Sequence, residues 1–250
     1  MSMVMVELDR LSKSFGDFCA VDGISLTVSK GEVLGFLGPN GAGKTTTMRM
    51  ISGFLTPTAG TARVCGHDVI SDPTAVKSVI GYMPEGSPSY DDMSVLGFLK
   101  FIGEIRGFSG ADRDECIARV VKRLELGDVI ERPIEVLSKG YRRRVGLAQS
   151  MLHDPPVLLL DEPTDGLDPN QKHHVRGLIA EMAAEKAIII STHILEEVEA
   201  VCTRAVIIGR GKVLADGTAA ELRALVPGGT LDDVFRLVTT GAAPATQAAQ

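Results

Sequence analysis

Nine consecutive residues, "GPNGAGKTT" (38–46), have the types and spacing to hold a polyphosphate. They match G-x-x-x-x-G-K-[ST] between an apolar run, "EVLGFL" (32–37), that reads as a strand and "TTMRMISGFL" (46–55), which reads as a helix. Glycines let backbone N–H groups converge on phosphate oxygens, and the helix N-terminus adds the positive end of its dipole. In this pattern Gly38, Pro39, Asn40, Gly41, Ala42 and Gly43 wrap the phosphates. Lys44 reaches the β- and γ-phosphates, Thr45 offers a hydroxyl to Mg²⁺ and Thr46 donates to the α/β region. The alternative, a purely structural glycine turn, would not need the strand and helix that flank this one.

Two further strand ends carry groups suited to the same chemistry. "VLLLDEPTDGLD" (157–168) ends an apolar strand on Asp161, a carboxylate for Mg²⁺, usually through water. Glu162 follows, placed to orient or deprotonate an attacking water. Alone, two acids at a strand end are as readily ordinary turn residues; the phosphate loop favours the chemical reading. "AIIISTHILEE" (187–197) ends another predicted buried strand at His193. A lone histidine is usually structural or a surface group, but a strand end in such a sheet places it at the rim of the phosphate loop, where it can hydrogen-bond a γ-phosphate. A fourth stretch, "LSKGYRRR" (137–144), sets a capping serine and a glycine before three arginines in a predicted helix, a second anion site that the chain's own phosphate loop does not need. Its bland alternative is a helix cap followed by a solvated basic face.

These residues must be carried by an α/β frame. Apolar runs at 4–8, 24–28, 32–38, 79–83, 157–161, 187–191 and 205–209 alternate with longer helical patterns. "VLLLD" and "AIIIS" are apolar throughout, as parallel strands covered on both faces should be, whereas "ISLTV" (24–28) alternates like a half-exposed antiparallel strand. Between Glu85 and Leu137 the strand signal vanishes; one helix is predicted after Ser94 through "VLGFLKFIGEIR" and another through "DRDECIARVVKRLEL". "GTAAELRALV" and "LDDVFRLV" read as short amphipathic helices, and "GAAPATQAAQ" as a tail with too little apolar content to pack.

Composition limits the function. With 250 residues the chain can bury a proper core, and its formal charge of −6 argues against a nucleic-acid partner. Cys19, Cys65, Cys116 and Cys202 lie far apart, suggesting neither a disulfide framework nor zinc, and fit a reducing cytoplasm. No apolar run approaches the roughly 20 residues of a bilayer span, and the start carries acids where a signal peptide needs an apolar core, so a protein soluble by itself is expected.

Over nearly everything from residue 4 to about 220, the chain resembles the ATP-binding cassette (ABC) ATPases, the nucleotide-binding subunits of ABC transporters. The resemblance makes Gly38–Thr46 a Walker A loop, Val157–Asp161 a Walker B strand, Glu162 the catalytic glutamate, Pro163–Asp168 the D-loop region and His193 the switch histidine. Phe15 takes the place of the aromatic that stacks on adenine, with an ordinary core phenylalanine as the alternative. "LSKGYRRR" is similar to the ABC signature, so Leu137, Ser138, Lys139 and Gly140 would face the γ-phosphate of a nucleotide held by a second subunit. Asp168 joins the nucleotide-binding set, and Thr45, Glu85 and Asp161 the metal set.

The implied fold is a P-loop NTPase with a RecA-like core, an antiparallel β subdomain and an inserted α-helical subdomain at about 86–150, all in one domain, 1–225, followed by a C-terminal helix, 226–240, and a disordered tail, 241–250. The implied cofactors are ATP and Mg²⁺; the implied partners are a second cassette, as a homodimer, and a membrane permease holding the chain at the inner face of the cell membrane. The surface near Glu85, Met93 and Phe98 would receive the permease, although either apolar residue alone reads more readily as core.

Three departures from the family pattern matter. The usual "LSGGQ" is here "LSKGY", the Q-loop position in "GYMPE" carries Glu85 where glutamine is usual, and the D-loop is "TDGLD". Glutamate adds negative charge near the phosphates. The same departures, with "LDDVFRLVTT" (231–240), resemble the single-cassette ATPases of ABC type-2 exporters. The rivals are a soluble ABC ATPase acting on ribosomes or DNA, which resembles a tandem cassette or carries long coiled coils, and an importer motor, which a neighbouring substrate-binding protein would indicate.

Overall fold

In the computed structural model, residues 3–86 and 90–241 are described. The chain opens with a long hairpin, β1 (Val4–Phe15) and β2 (Phe18–Ser29), followed by β3 (Val33–Leu37), α1 (Lys44–Ile51), β4 (Ala59–Val64) and β5 (His67–Asp68). After α2 (Pro73–Val79) and β6 (Ile80–Met83) come three helices, α3 (Val95–Ile105), α4 (Gly110–Arg123) and α5 (Lys139–Met151). The second half runs β7 (Val157–Asp161), α6 (Pro169–Ala183), β8 (Ala187–Thr192), α7 (Leu195–Val201), β9 (Arg204–Gly209), β10 (Lys212–Gly217), α8 (Ala219–Arg223) and α9 (Leu231–Thr240).

Two sheets result. β2-β1-β4-β5 is antiparallel, and β10-β9-β3-β8-β7-β6 is parallel apart from β10. The P-loop ABC ATPase architecture expected from the sequence is therefore present, with its antiparallel and parallel sheets. β7 shows why its residues are apolar throughout. Leu158 and Leu160 face the cluster built by α3 to α6, whereas Val157 and Leu159 face the cluster that holds α1 and the antiparallel sheet. Successive side chains point to opposite faces, so a strand buried on both sides has no polar position to spare. In β2 the inner positions Ile24, Leu26 and Val28 alternate with exposed ones, as expected of a sheet with one wet face.

The structure departs from the sequence reading where pairing overrides composition. β1 and β2 run to 12 residues each, far beyond 4–8 and 24–28, because each supplies the other's backbone partners through polar stretches. The mixed runs "AGTARV" and "KVLADG" showed no clear strand signal, yet become β4 and β10 by pairing with β1 and β9. The helix expected over "DRDECIARVVKRLEL" begins earlier, at Gly110, and ends at Arg123. Ser94 caps α3 as read, accepting from the Gly97 N–H. Phe98, offered as a docking residue, is 2% exposed and lies in the core with Val95, Leu99 and Ile117; Met93 packs against the same cluster. At the other end, Leu222, Val226, Leu231 and Val234 from the last two helices and the segment between them bury Leu37, Ala205 and Ile207. Residues 242–250 of the expected tail lie outside the described residues. Among the described residues, no helix is long and apolar enough to cross a membrane.

Candidate nucleotide site

The phosphate loop leaves β3, which lies between β8 and β9, and runs into α1. Two of its glycines are dictated by space. A Cβ on Gly38 would lie 2.3 Å from the Ile208 carbonyl oxygen, and one on Gly43, at φ +107°, would lie 2.6 Å from that of Ala20. Gly43 is also the N-cap of α1, so the left-handed turn leads directly into the helix N-terminus. Lys44 is 7% exposed, and its Nζ donates to the carbonyls of Gly38 at 2.7 Å and Pro39 at 3.2 Å. Burial lowers the lysine's pKa, opposed by the charges of Glu162, Asp161 and Glu85. Thr45 and Thr46 are half-buried on the first turn, Ala42 is buried, and Pro39, Asn40 and Gly41 are exposed at the tip.

Asp161 and Ser191 pair in register at the ends of β7 and β8. The Ser191 hydroxyl donates to Asp161 Oδ1, while Oδ2, in a residue 1% exposed, has no hydrogen-bond partner. A buried carboxylate oxygen left in this way is costly unless something cationic meets it. Among the described residues no three His, Cys, Asp or Glu side chains converge into an all-protein metal cage. One carboxylate, the Thr45 hydroxyl and the phosphates of a bound nucleotide would form a donor set that suits Mg²⁺, which keeps waters and shares its shell with phosphates.

Glu162 follows at φ +53°, a left-handed conformation uncommon for a residue with a side chain. Several contacts hold it there. Its N–H donates to the Ser191 carbonyl at 2.9 Å, and its own carbonyl accepts from the Asp165 N–H at 3.2 Å and from Arg143 Nη2. Its carboxylate Oε1 lies 2.8 Å from Nδ1 of the exposed His193. Behind it, the Thr192 hydroxyl lies 3.5 Å from Glu162 Oε2 and donates to Glu197 Oε2 at 2.8 Å. Burial pushes the Glu197 carboxyl's pKa up, and its Oε1 has no hydrogen-bond partner.

The second predicted anion site is more closely tied into the fold than its sequence suggested. Ser138 is exposed and caps α5, accepting from the Tyr141 N–H at 3.3 Å. Lys139 is the first residue of α5, so the lysine in place of the usual glycine fits ordinary helical backbone; its Nζ donates to Asp165 Oδ2 at 2.8 Å. Gly140 lies against the end of the Gln171 side chain: a Cβ there would lie 2.6 Å from Gln171 Oε1, and that flexible amide would have to shift. Leu137 is buried in the core, and Asp168 caps α6 by accepting from the Gln171 N–H at 2.9 Å. Only Arg142 of the three arginines is exposed. Arg143 and Arg144 are buried, Arg144 against Glu125 and the Leu124 carbonyl, and Arg142 donates to the carbonyls of Leu137 and Glu135.

Two outlying residues complete the set. Phe15 is 51% exposed at the tip of the β1–β2 hairpin, with Lys13 Nζ 5.3 Å from its ring centroid, so it is not a core phenylalanine. Glu85 is exposed beyond β6, its carbonyl accepting from Arg143 Nη1. The sequence reading noted Arg143 only as one of three arginines and gave no role to Ser191, Thr192 or Glu197. Ser191 and Thr192 had a usable signal, as polar residues at the end of an apolar strand, but only the register of β7 against β8 shows what they face.

The family model described as ABC transporter matches residues 21–165. Nod factor export ATP-binding protein I of Paraburkholderia xenovorans (strain LB400) is 36% identical over 231 residues, 92% of this chain and 76% of that protein. The probable multidrug ABC transporter ATP-binding protein YbhF of Escherichia coli (strain K12) is 35% identical over 224 residues, 88% of this chain but only 38% of that protein, so the chain spans well under half of it. Among solved structures, an ATP-binding subunit of an ABC transporter superposes with a TM-score of 0.86 at 27% identity, over 94% of this chain and 99% of that one. A family match over more than half of the residues, joined to the shared fold and the phosphate loop, means that this chain belongs to the ABC transporter family, as one of its ATP-binding, ATP-hydrolysing cassettes.

Proposed function

We propose that the chain is the motor of an exporter, coupling ATP hydrolysis to transport through a separate membrane permease and working as a homodimer on the inner face of the cell membrane. The observation that carries this reading is the cluster at the rim of the parallel sheet. There Glu162, bonded to His193, sits beside Asp161 with its unpartnered buried oxygen, where the charges of both acids act on Lys44.

In this reading Gly38–Thr46 bind the triphosphate, Lys44 neutralises charge on its β- and γ-phosphates, and Phe15 stacks on the adenine. Thr45 and Asp161, with Glu85, would hold Mg²⁺, which would supply positive charge to the phosphate oxygens. Glu162 takes the proton of the attacking water, and His193, bonded to Glu162, meets the γ-phosphate. Ser138, Lys139 and Gly140, with Leu137 fixing their entry and Asp168 the neighbouring helix, contact the nucleotide of the facing chain. The helices from 86 to 150 form the subdomain that meets the permease. Support for the exporter assignment comes from the relatives, whose names refer to Nod factor export and multidrug transport.

Affinity purification of the full chain from detergent-solubilised membranes tests this. A multi-span membrane protein is expected in the complex, with ATPase activity. Recovery with ribosomes or DNA and no membrane protein would defeat it.

The acidic Q-loop position gives a second expected result. Glu85→Gln should leave folding and nucleotide binding intact but raise the Mg²⁺ concentration for half-maximal activity by about two- to fivefold, the effect of removing one partly screened charge worth about 0.5–1 kcal/mol. A Mg²⁺ titration superimposable on the wild type would take Glu85 out of the metal set.

A further inference from the structure

The three arginines after Ser138 have so far no function, yet the middle one is unlike a surface residue. Arg143 is 5% exposed, and burial lowers the pKa of its guanidinium. Its Nη1 donates to the carbonyl oxygen of Glu85 and its Nη2 to that of Glu162. Nη2 also lies 4.0 Å from Asp165 Oδ2, the carboxylate that Lys139 holds at 2.8 Å. One planar group thus spans the loops leaving the adjacent parallel strands β6 and β7, from a helix whose N-cap is Ser138.

The geometry points to Arg143 as a positioning residue that locks the catalytic glutamate to the signature helix, so that the end of α5 serving the facing chain's nucleotide also sets the backbone of the base acting on the chain's own. This rests on reading Glu162 as the base. Glu162 is held at φ +53°, a conformation that persists only where its surroundings over-determine it. Arg143 supplies one of the contacts on its carbonyl, and the Asp165 N–H supplies another. A guanidinium fork holds two separate carbonyls from two nitrogens fixed in one plane; an ammonium can reach two acceptors, as Lys44 does, but only from a single nitrogen on a flexible stem. Movement of α5 when Ser138 engages a phosphate would therefore be carried to Glu85 and Glu162 through one rigid group.

The test uses the full chain, with steady-state ATP hydrolysis, ATP affinity and backbone hydrogen exchange. Arg143→Met should lower kcat about 10²-fold, the scale of a base displaced by about 1 Å, with KM for ATP within about twofold. Arg143→Lys, which keeps charge and bulk if the methionine variant fails to fold, should recover only part of that loss. In both variants exchange should speed up at the Asp165 amide, which bonds to Glu162, while α1 stays protected. Adding Arg143→Met to Glu162→Gln should cause no further loss. Wild-type kcat in a folded Arg143→Met chain, or a matched fall in kcat, ATP affinity and melting temperature, would overturn the inference. The control separates the two ideas: a Glu162→Gln chain that still hydrolyses at the wild-type rate removes the base reading, whereas an inert Glu162→Gln chain beside an active Arg143→Met chain removes only the lock.

Discussion

Glu162→Gln is expected to bind ATP normally and to lose about 10²–10⁴-fold in hydrolysis, the range for removing a positioned general base. The amide has the size of the carboxylate and can remain beside His193, but it cannot accept a proton from water. With the γ-phosphate uncleaved, the mutant should hold two chains together, each Ser138 against the other chain's nucleotide. Size-exclusion chromatography of Glu162→Gln with ATP and Mg²⁺ should show a dimer that disappears without nucleotide. Ser138→Arg in the same background should still bind ATP, since Gly38–Thr46 are untouched, yet run as a monomer because the longer side chain fills the space for the facing phosphate. Dimerisation unaffected by Ser138→Arg would leave that serine as nothing more than the cap of α5 that it already is.

Lys44→Ala should abolish hydrolysis, a loss of at least about 10³-fold, since in the proposed site the ammonium is a cation that the chain itself would bring to the charge developing between the β- and γ-phosphates. The structure puts unusual pressure on this side chain. Burial favours its neutral form, and the nearby carboxylates Glu162, Asp161 and Glu85 are what favour the charged one. The alanine variant removes the donor to the Gly38 and Pro39 carbonyls, so its melting temperature should be measured with its turnover. Turnover near that of the wild type in the assembled transporter, from a chain with an intact melt, would take Lys44 out of the site.

The parts of the site legible from the sequence were those built by neighbours in the chain. A phosphate cradle is made of contiguous backbone N–H groups at the start of a helix, so "GPNGAGKTT" carries its own geometry. The all-apolar strands β7 and β8 were legible for a similar reason, because burial on both faces leaves its mark on every residue. So were the caps: Ser94 and Ser138 begin their helices where the sequence placed them.

Only tertiary structure decided the rest. β4 and β10 are strands because β1 and β9 offer them backbone partners, and nothing in "AGTARV" or "KVLADG" announces those partners. Phe15 and Phe98 are the same residue type in unremarkable contexts, yet one is exposed at a hairpin tip and the other buried among helices, a difference set by what packs against each. The meeting of Asp161 with Ser191 and of Glu162 with His193 depends on the register of β7 against β8, which a one-residue slip would undo. Arg143 shows the limit most clearly. Its type and its place on a helix could be read, but its two acceptors are backbone carbonyls 58 and 19 residues away, and a carbonyl has no side-chain identity to betray its role.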